Sequence, residues 1–366
     1  MPGIKRKASS LCDETMMMAP ANKRVKLDLS VTVERNLPAA IKRKASSIID
    51  DTPTRMPPAF GSLMSRPMMS SSEKRVKLDS TSINNAEIKP SAKLVQLSEE
   101  EFLKRFEETE LLGEGSFGKA FRARDNQTKT SVIVKSFPRD KIYNWTNGIP
   151  TEIDIMMLLS HKNICPVLEA FESNLNYRMV MPDTNGKDLE KYDAKDPSSV
   201  PSFRYIVREV AEGLRYLHED CLIVHQDIKQ ENVIVSNIGG EYKVQIIDFG
   251  YAKKYSKGVK EFVVDGCTPL CSCKEYYTKT RIIGPEADVF SFGVFLYTMI
   301  FGIEKPPFRT LKSLKSNLEV KLPAVIMNGP EDSAIRELLR NTLVKRPSRR
   351  WTISQVLSSK YLSSSA

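Results

Sequence analysis

The chain has 366 residues, 41% of them hydrophobic, which is enough for a substantial folded core. Its formal net charge is +10, and residues 1–95 hold 17 basic against 9 acidic residues, so the rest of the chain is nearly neutral. This distribution argues against a domain that binds nucleic acid directly. The lack of an apolar run of about 18 residues argues against a membrane-spanning helix, and the six cysteines indicate a reducing compartment rather than a disulfide framework.

Residues 1–95 have the composition of a disordered, basic tail. Phe60 is their one aromatic residue, among many Ser, Pro, Met and Lys, so this segment cannot bury enough apolar surface to offset its loss of chain entropy. Two short motifs occur twice in it. Ile-Lys-Arg-Lys-Ala-Ser-Ser begins at Ile4 and Ile41, and Lys-Arg-Val-Lys-Leu-Asp begins at Lys23 and Lys74.

The duplicated basic motifs are typical of nuclear import signals, because an extended chain can lay Lys and Arg side chains into an acidic groove of an import receptor. The alternative is a solvated run of charge with no partner. The near-identical duplication favours import, and therefore a location in the nucleus with a share in the cytoplasm. Ser9 and Ser46 each follow an Arg by three residues and are candidate sites for a basophilic kinase.

After the tail, the predicted elements are first β-rich and then helical. Ser98 followed by three Glu predicts the N-cap and first turn of a short helix. Residues 106–186 are β-rich, with one helical stretch near 151–160. Beyond residue 200, apolar residues recur at helical spacing, as in 204–218 and 287–301. The pattern predicts an α+β protein with a small β-rich lobe and a larger helical lobe.

A glycine-rich sequence, Gly-Glu-Gly-Ser-Phe-Gly at residues 113–118, lies between two predicted strands. Glycines allow the backbone to approach phosphate groups closely. Alone, this sequence is equally compatible with an ordinary hairpin. Its strand–loop–strand context differs from the strand–loop–helix context of a dinucleotide fold.

Lys135 and Glu152 form the next candidate pair. Lys135 ends a β-branched run, and Glu152 begins the apolar stripe of a predicted helix that continues through Ile155 and Leu159. A carboxylate on a buried stripe needs a cation, and Lys135 is the natural candidate. Asp154 is the competing acid, but its position on the helix places it off that face.

Two further motifs complete a recognisable series: His-Gln-Asp-Ile-Lys-Gln-Glu-Asn at residues 225–232 and Asp-Phe-Gly at residues 248–250. In this order, the five elements resemble the protein kinase signature of a Gly-rich loop, Val-Ala-Ile-Lys, a helix Glu, His-Arg-Asp-Leu-x-x-x-Asn and Asp-Phe-Gly. The resemblance covers residues 106–362. It includes Arg350, which matches the Arg that pairs with the Glu of the family's Ala-Pro-Glu motif. Lys229 indicates the Ser/Thr class, and the chain resembles the Pim and PAS kinases of the calmodulin-dependent group.

The resemblance implies a two-lobed protein kinase fold, with ATP and Mg²⁺ as cofactors and protein Ser or Thr hydroxyls as acceptors, the activity of class EC 2.7.11. It also implies the residues that bind the nucleotide. These are Leu112, Gly113, Glu114, Gly115, Ser116, Phe117, Gly118, Lys119, Ala120, Lys135, Pro182, Thr184 and Asp188. The Pro182 carbonyl and the Thr184 N–H are the implied adenine contacts after the gatekeeper Met181, and Asp188 matches a ribose-binding acid.

The catalytic roles that the resemblance implies fall on six side chains. Lys135, steered by Glu152, holds the α- and β-phosphates. Asp227 receives or orients the acceptor proton, and Lys229 balances charge on the transferred phosphoryl group. The implied metal ligands are Asn232 and Asp248.

Departures from the family pattern leave alternatives open. Gln226 replaces an Arg that meets a phosphate on the activation segment, so we expect a kinase that is not switched by loop phosphorylation. Lys274 replaces the Pro before Glu275. Both departures favour the alternative of a pseudokinase or scaffold that binds nucleotide or partners without turnover. The retained catalytic residues argue against it. A kinase acting on a small molecule or lipid is a third alternative.

Two further expectations concern substrate preference and the cysteines. Glu231 and Asp188 match positions that hold basic residues upstream of the acceptor in related kinases, so a moderate preference for Arg or Lys is expected, with Thr298 in place of a strengthening acid. The cluster of Cys267, Cys271 and Cys273 is interpreted as small loop residues. A zinc site would need a fourth ligand, and a redox-sensitive thiol is the other alternative.

Overall fold

The computed structural model describes residues 92–115, 118–190, 201–256, 262–263, 268, 271–277, 282–303, 305–316, 320–323, 326 and 331–363. The duplicated motifs, Ser9, Ser46, Ser116, Phe117 and Cys267 lie outside these residues, so the predictions made for them stay predictions. In the described part of the chain, no helix combines the length and the apolar character that crossing a membrane requires.

The first lobe is built on a six-stranded sheet. Its elements in chain order are β1 (Leu94–Gln96), α1 (Glu99–Arg105), β2 (Phe106–Gly115), β3 (Gly118–Asp125), β4 (Ser131–Pro138), β5 (Trp145–Thr146), β6 (Ile149–Pro150), α2 (Thr151–Met156), β7 (Glu169–Glu172) and β8 (Asn176–Pro182). The sheet has the order β1-β7-β8-β4-β3-β2. Strands β5 and β6 form a separate hairpin directly before α2. The helix predicted near residues 151–160 is present as α2, but it ends at Met156.

Helix α1 begins as predicted, with Ser98 as its N-cap. The Ser98 hydroxyl accepts a hydrogen bond from the Glu101 N–H, and the Glu101 carboxylate accepts one from the Ser98 N–H. Phe102 on this helix is fully buried, with ring centroids 4.7 Å from Phe106 and 5.5 Å from Phe171. The capping box sets where the helix starts, and the aromatic cluster joins it to the sheet.

The predicted boundary of the tail at residue 95 is too late. Strand β1 pairs in parallel with β7, with Leu94 opposite Ala170, and Ala92 is buried in the main core. The strand is stabilised by backbone hydrogen bonds to β7, which is distant in sequence, and the local sequence Leu-Val-Gln does not reveal this pairing.

The second lobe is mainly helical, as predicted. Its elements are β9 (Lys187–Asp188), α3 (Phe203–Arg215), a π-helical turn (Tyr216–Asp220), β10 (Ile223–Val224), β11 (Val233–Ile238), β12 (Glu241–Ile246), β13 (Lys253–Lys254), β14 (Phe262–Val263), β15 (Ile282–Ile283), α4 (Glu286–Phe301), α5 (Leu311–Lys315), α6 (Asp332–Thr342), α7 (Ile353–Leu357) and α8 (Lys360–Ser363). Single 3₁₀ turns cover Gln230–Asn232, Lys274–Tyr277 and Pro347–Arg349 in this lobe, and Arg139–Lys141 in the first lobe.

Helix α4 lies at the centre of this lobe, and most of its residues are buried. Gly293 allows α6 to approach it closely, since a Cβ at this position would lie 2.7 Å from the Thr342 hydroxyl oxygen. The buried α4 gives the catalytic loop a rigid support, because its Asp288 side chain is fully buried beneath that loop.

Candidate active site

A cleft of about 910 Å³ lies between the two lobes. The residues proposed from the sequence that line it are Leu112, Gly113, Glu114, Gly115, Gly118, Ala120, Lys135, Glu152, Met181, Pro182, Thr184, Asp188, Asp227, Lys229, Glu231, Asn232 and Asp248. Lys119 does not line it. Its ammonium group lies 3.3 Å from Glu114 Oε2, across the β2–β3 turn.

A buried charge cluster lies at the back of the cleft. Lys135 on β4 donates to Glu152 Oε1 at 2.7 Å and to Asp248 Oδ1 at 2.8 Å. Glu152 stands in the first turn of α2, so the predicted pairing of strand and helix is confirmed. Asp154 points elsewhere, as the helical spacing predicts. One cation thereby holds two carboxylates that come from opposite lobes.

The electrostatics of this cluster follow from burial and proximity. Burial lowers the pKa of Lys135, but the charges of Glu152 and Asp248 outweigh that effect and raise it above the usual value. Burial raises the pKa of Glu152 to about 7, although the Lys135 ammonium opposes this. For Asp248, burial also acts upward, but Lys135 holds its pKa below the usual range. We therefore assign Lys135 and Asp248 as charged.

The backbone at Asp248 is left-handed, with φ of 62°. Only Gly adopts this conformation freely, although Asp and Asn tolerate it better than other residues. In this conformation the Asp248 Oδ1 atom lies 2.8 Å from Lys135 Nζ. Gln226 has a φ of 72°, so the two motifs that flank the cleft are both held in uncommon backbone geometry.

The catalytic loop brings its predicted side chains together. Lys229 Nζ lies 2.9 Å from Asp227 Oδ2, and Asn232 Nδ2 donates to the Asp227 carbonyl at 2.8 Å and to its Oδ2 at 2.9 Å. Burial lowers the pKa of Lys229, but Asp227 more than compensates and raises it. The Asp227 carboxylate is thus oriented by groups on both sides, as a group that positions an acceptor hydroxyl must be.

Asp288 supports the catalytic loop from below. Its carboxylate accepts hydrogen bonds from the backbone N–H groups of His225 and Gln226, both at 2.7 Å, and lies 2.9 Å from His218 Nε2. The His225 ring packs 4.7 Å from the buried Phe249 ring. His225 therefore has a structural place under the loop and is not positioned as a general base.

The donor groups fit Mg²⁺ held together with a nucleotide. Asn232 donates through Nδ2 to Asp227, which leaves its carbonyl oxygen as the atom for a cation, and Asp248 supplies a carboxylate. Oxygen ligands of this kind, completed by phosphates and water, are those that Mg²⁺ prefers. Within the described residues no group of three His, Cys, Asp or Glu could hold a metal alone.

Several cleft residues were not proposed from the sequence. Thr268 Oγ1 accepts a hydrogen bond from Lys229 Nζ at 2.9 Å and donates to the Asp227 carboxylate. Arg122 lies two residues after Ala120 on the same face of β3, a signal that strand periodicity offered. Ile247 also lines the cleft, and its position directly before the Asp-Phe-Gly motif could have identified it from the sequence. Cys165 had no local signal, and burial raises its pKa to about 12, so its thiol stays protonated.

The region around the predicted activation segment contains two informative contacts. Gln226 is buried, its Oε1 accepts a hydrogen bond from Tyr276 at 3.3 Å, and among the described residues its Nε2 has no hydrogen-bond partner. Arg350 Nη2 donates to Glu275 Oε1 at 3.0 Å, which confirms the pairing implied by the family pattern.

Cys273 is buried, and burial raises its pKa well above the usual value, whereas Cys271 is half-buried.

Comparisons with known proteins show the family to which this chain belongs. The protein kinase domain model matches residues 106–362. The chain is 32% identical over 261 residues to NUAK family SNF1-like kinase 2 of Rattus norvegicus, covering 69% of this chain and 39% of that protein. It is 31% identical over 261 residues to NUAK family SNF1-like kinase 1 of Mus musculus, covering 69% and 38%. It is 28% identical over 259 residues to the PAS domain-containing serine/threonine-protein kinase of Mus musculus, covering 64% and 18%.

These matches confirm the recognition of the Ser/Thr kinase branch related to calmodulin-dependent kinases, and the fold class. The chain spans about two fifths of the length of the first two relatives and less than one fifth of the third.

Proposed function

The chain belongs to the protein kinase family, and from this premise we propose that it is an active enzyme that transfers the γ-phosphoryl group of ATP to Ser or Thr hydroxyls of proteins. The observation that carries the proposal is the position of Lys135, 2.7 Å from Glu152 and 2.8 Å from Asp248. Phosphoryl transfer depends mainly on positioning and charge neutralisation, and this cluster aligns the phosphate-binding cation with the metal-binding carboxylate.

Residues of the chain bind the metal, orient the acceptor hydroxyl and take up its proton. Mg²⁺, when bound with ATP, neutralises phosphate charge, and Asp248 and Asn232 would hold it. Asp227 orients the acceptor hydroxyl and takes up its proton, while Lys229 and Thr268 fix the carboxylate that does so. Asp288 holds the loop backbone at two N–H groups, so the carboxylate is oriented before substrate arrives.

We also propose that the enzyme works without phosphorylation of its activation segment. Gln226 occupies the place of the phosphate-binding Arg. It is buried and carries no charge, so it cannot offset the cost of bringing a phosphate into the protein. Protein made in bacteria and treated with phosphatase should therefore transfer labelled phosphate from ATP to Ser/Thr peptides at nearly its full rate. A gain of tenfold or more after phosphorylation at Tyr251, Tyr255 or Ser256 would contradict this proposal.

The same assay, run on a peptide library, tests substrate preference and the alternative function. Glu231 and Asp188 line the cleft, and we propose that they favour Arg or Lys upstream of the acceptor. Gln230 donates to Thr298 at 3.0 Å, so a neutral pair stands where an acid would strengthen the preference. A library selecting acidic or proline-directed peptides would overturn this preference. Nucleotide binding without any transfer would support a pseudokinase instead.

We further propose that the basic tail directs the chain to the nucleus. The support is the duplication of Lys-Arg-Val-Lys-Leu-Asp at Lys23 and Lys74 in the basic quarter of the sequence. Changing Lys23, Arg24, Lys74 and Arg75 together to Ala should shift a fluorescently tagged chain toward the cytoplasm, because the acidic receptor groove loses its basic ligands. A matched control changes Arg35, Arg55, Arg66 and Lys89 to Ala, which removes the same number of charges from the tail outside both duplicated motifs and should leave the distribution unchanged. An unchanged distribution in the first variant would exclude these motifs as import signals.

A further inference from the structure

An ion pair links helix α2 to the start of the predicted activation segment. Lys254 Nζ on β13 lies 2.9 Å from Asp154 Oδ2 on α2. Only 12% of the Asp154 side chain is exposed, against 40% for Lys254, so solvent screens the pair less than it would at an open surface. Asn147 Nδ2 donates to Asp154 Oδ1 at 3.1 Å, which leaves the other oxygen directed at Lys254.

Both ends of this pair lie close in sequence to the catalytic charge cluster. Asp154 is two residues after Glu152 on the short helix α2, and Lys254 is six residues after Asp248. The pair therefore connects the same two segments that Lys135 connects, but on the outer side of the helix. A rotation of α2 that separated Glu152 from Lys135 would have to break the Asp154–Lys254 contact or carry β13 with it.

The partner segment is itself anchored to the second lobe. Strand β13 pairs with β10, with Lys254 opposite Ile223, and the Tyr255 N–H donates to the Leu222 carbonyl at 2.8 Å. Lys254 consequently presents its charge from a fixed backbone and not from a free loop. The ion pair thus holds α2 against an element of the other lobe.

No phosphate is needed for this link. A phosphate-dependent segment requires a cation beneath it, and the position that would supply that cation holds the neutral, buried Gln226. Asp154 and Lys254 are two unmodified side chains that make an equivalent connection between the helix and the segment.

We propose that Asp154 and Lys254 are positioning residues that keep helix α2 in its active orientation without activation-segment phosphorylation. The inference rests on the proposed kinase activity and on its independence of loop phosphate. Their pairing keeps Glu152 beside Lys135, and so aligns Lys135 and Asp248 for the nucleotide phosphates.

The test is a double-mutant cycle on the full chain, phosphatase-treated, with a Ser/Thr peptide and ATP as substrates. Asp154→Asn and Lys254→Met should each lower kcat/KM for ATP about two- to fivefold, which is the range expected for a partly shielded ion pair. The double variant should show no further loss, because each single change already removes the interaction. High salt should lower the activity of the wild-type chain more than that of the variants.

A matched control cycle uses Glu100→Gln and Lys104→Met, since this exposed pair on α1 has a similar separation of 2.7 Å and lies outside the site. Those variants should keep the wild-type kcat/KM. If Asp154→Asn and Lys254→Met match the wild type, or if their losses simply multiply, the positioning role is excluded while the kinase activity stands. An inactive wild-type chain would instead refute the proposed function itself. A lowered melting temperature with unchanged kcat/KM would assign the pair a purely structural role.

Discussion

Asp248→Asn is expected to lower kcat by about a thousandfold or more, because it removes the metal-binding charge and one of the two carboxylates that hold Lys135. The change preserves the shape of the side chain, so the fold should survive. Lys135→Met is expected to cause a similar loss, since no other cation lines the cleft between Glu152 and Asp248 among the described residues. Both rates would be measured with saturating ATP and labelled phosphate.

The two substitutions differ in their expected effect on stability, which makes the pair informative. Lys135→Met leaves Glu152, with only 5% of its side chain exposed, beside Asp248 without a cation, so its melting temperature should fall. Asp248→Asn removes one negative charge and should unfold near the wild-type temperature. Lys104→Met on the exposed face of α1 serves as the control that alters neither property. Wild-type rates in both purified variants would refute the assigned active site.

Arg350→Met is expected to give the largest loss of stability. Arg350 is almost fully buried, with 1% of its side chain exposed, and it donates to Glu275 at 3.0 Å and to the carbonyls of Val344 and Glu286 at 2.8 and 2.6 Å. Removing one member of a buried ion pair leaves an uncompensated charge and costs about 3–5 kcal/mol. For a domain of this size that corresponds to a fall in melting temperature of about 10 °C.

Thermal unfolding followed by circular dichroism measures this effect. The double variant Arg350→Met with Glu275→Gln removes both charges, so it should recover part of the lost stability. Arg350→Lys keeps the charge but not the planar set of donors, and it should fall between the two. A melting temperature within about 2 °C of the wild type for Arg350→Met would show that the pair contributes little.

Local patterns in the sequence determined much of this protein. The capping box at Ser98 predicted where α1 begins, because its donors and acceptors lie within four consecutive residues. Helical spacing placed Glu152 on the buried face and Asp154 off it, and the structure confirms both positions. The motifs around Asp227 and Asp248 indicated the chemistry before any distance was known, since the order of five short motifs is itself specific.

Tertiary structure alone decided the contacts between segments that are distant in the chain. Strand β1 lies in the sheet because β7 offers an open edge, and Thr268 reaches Asp227 across 41 residues of chain. Cys165 enters the cleft only through packing, and Lys254 meets Asp154 from 100 residues away. Periodicity and capping act over one or two turns of backbone, whereas these contacts depend on the path of the chain between the two lobes. Local patterns of residues therefore do not predict these contacts.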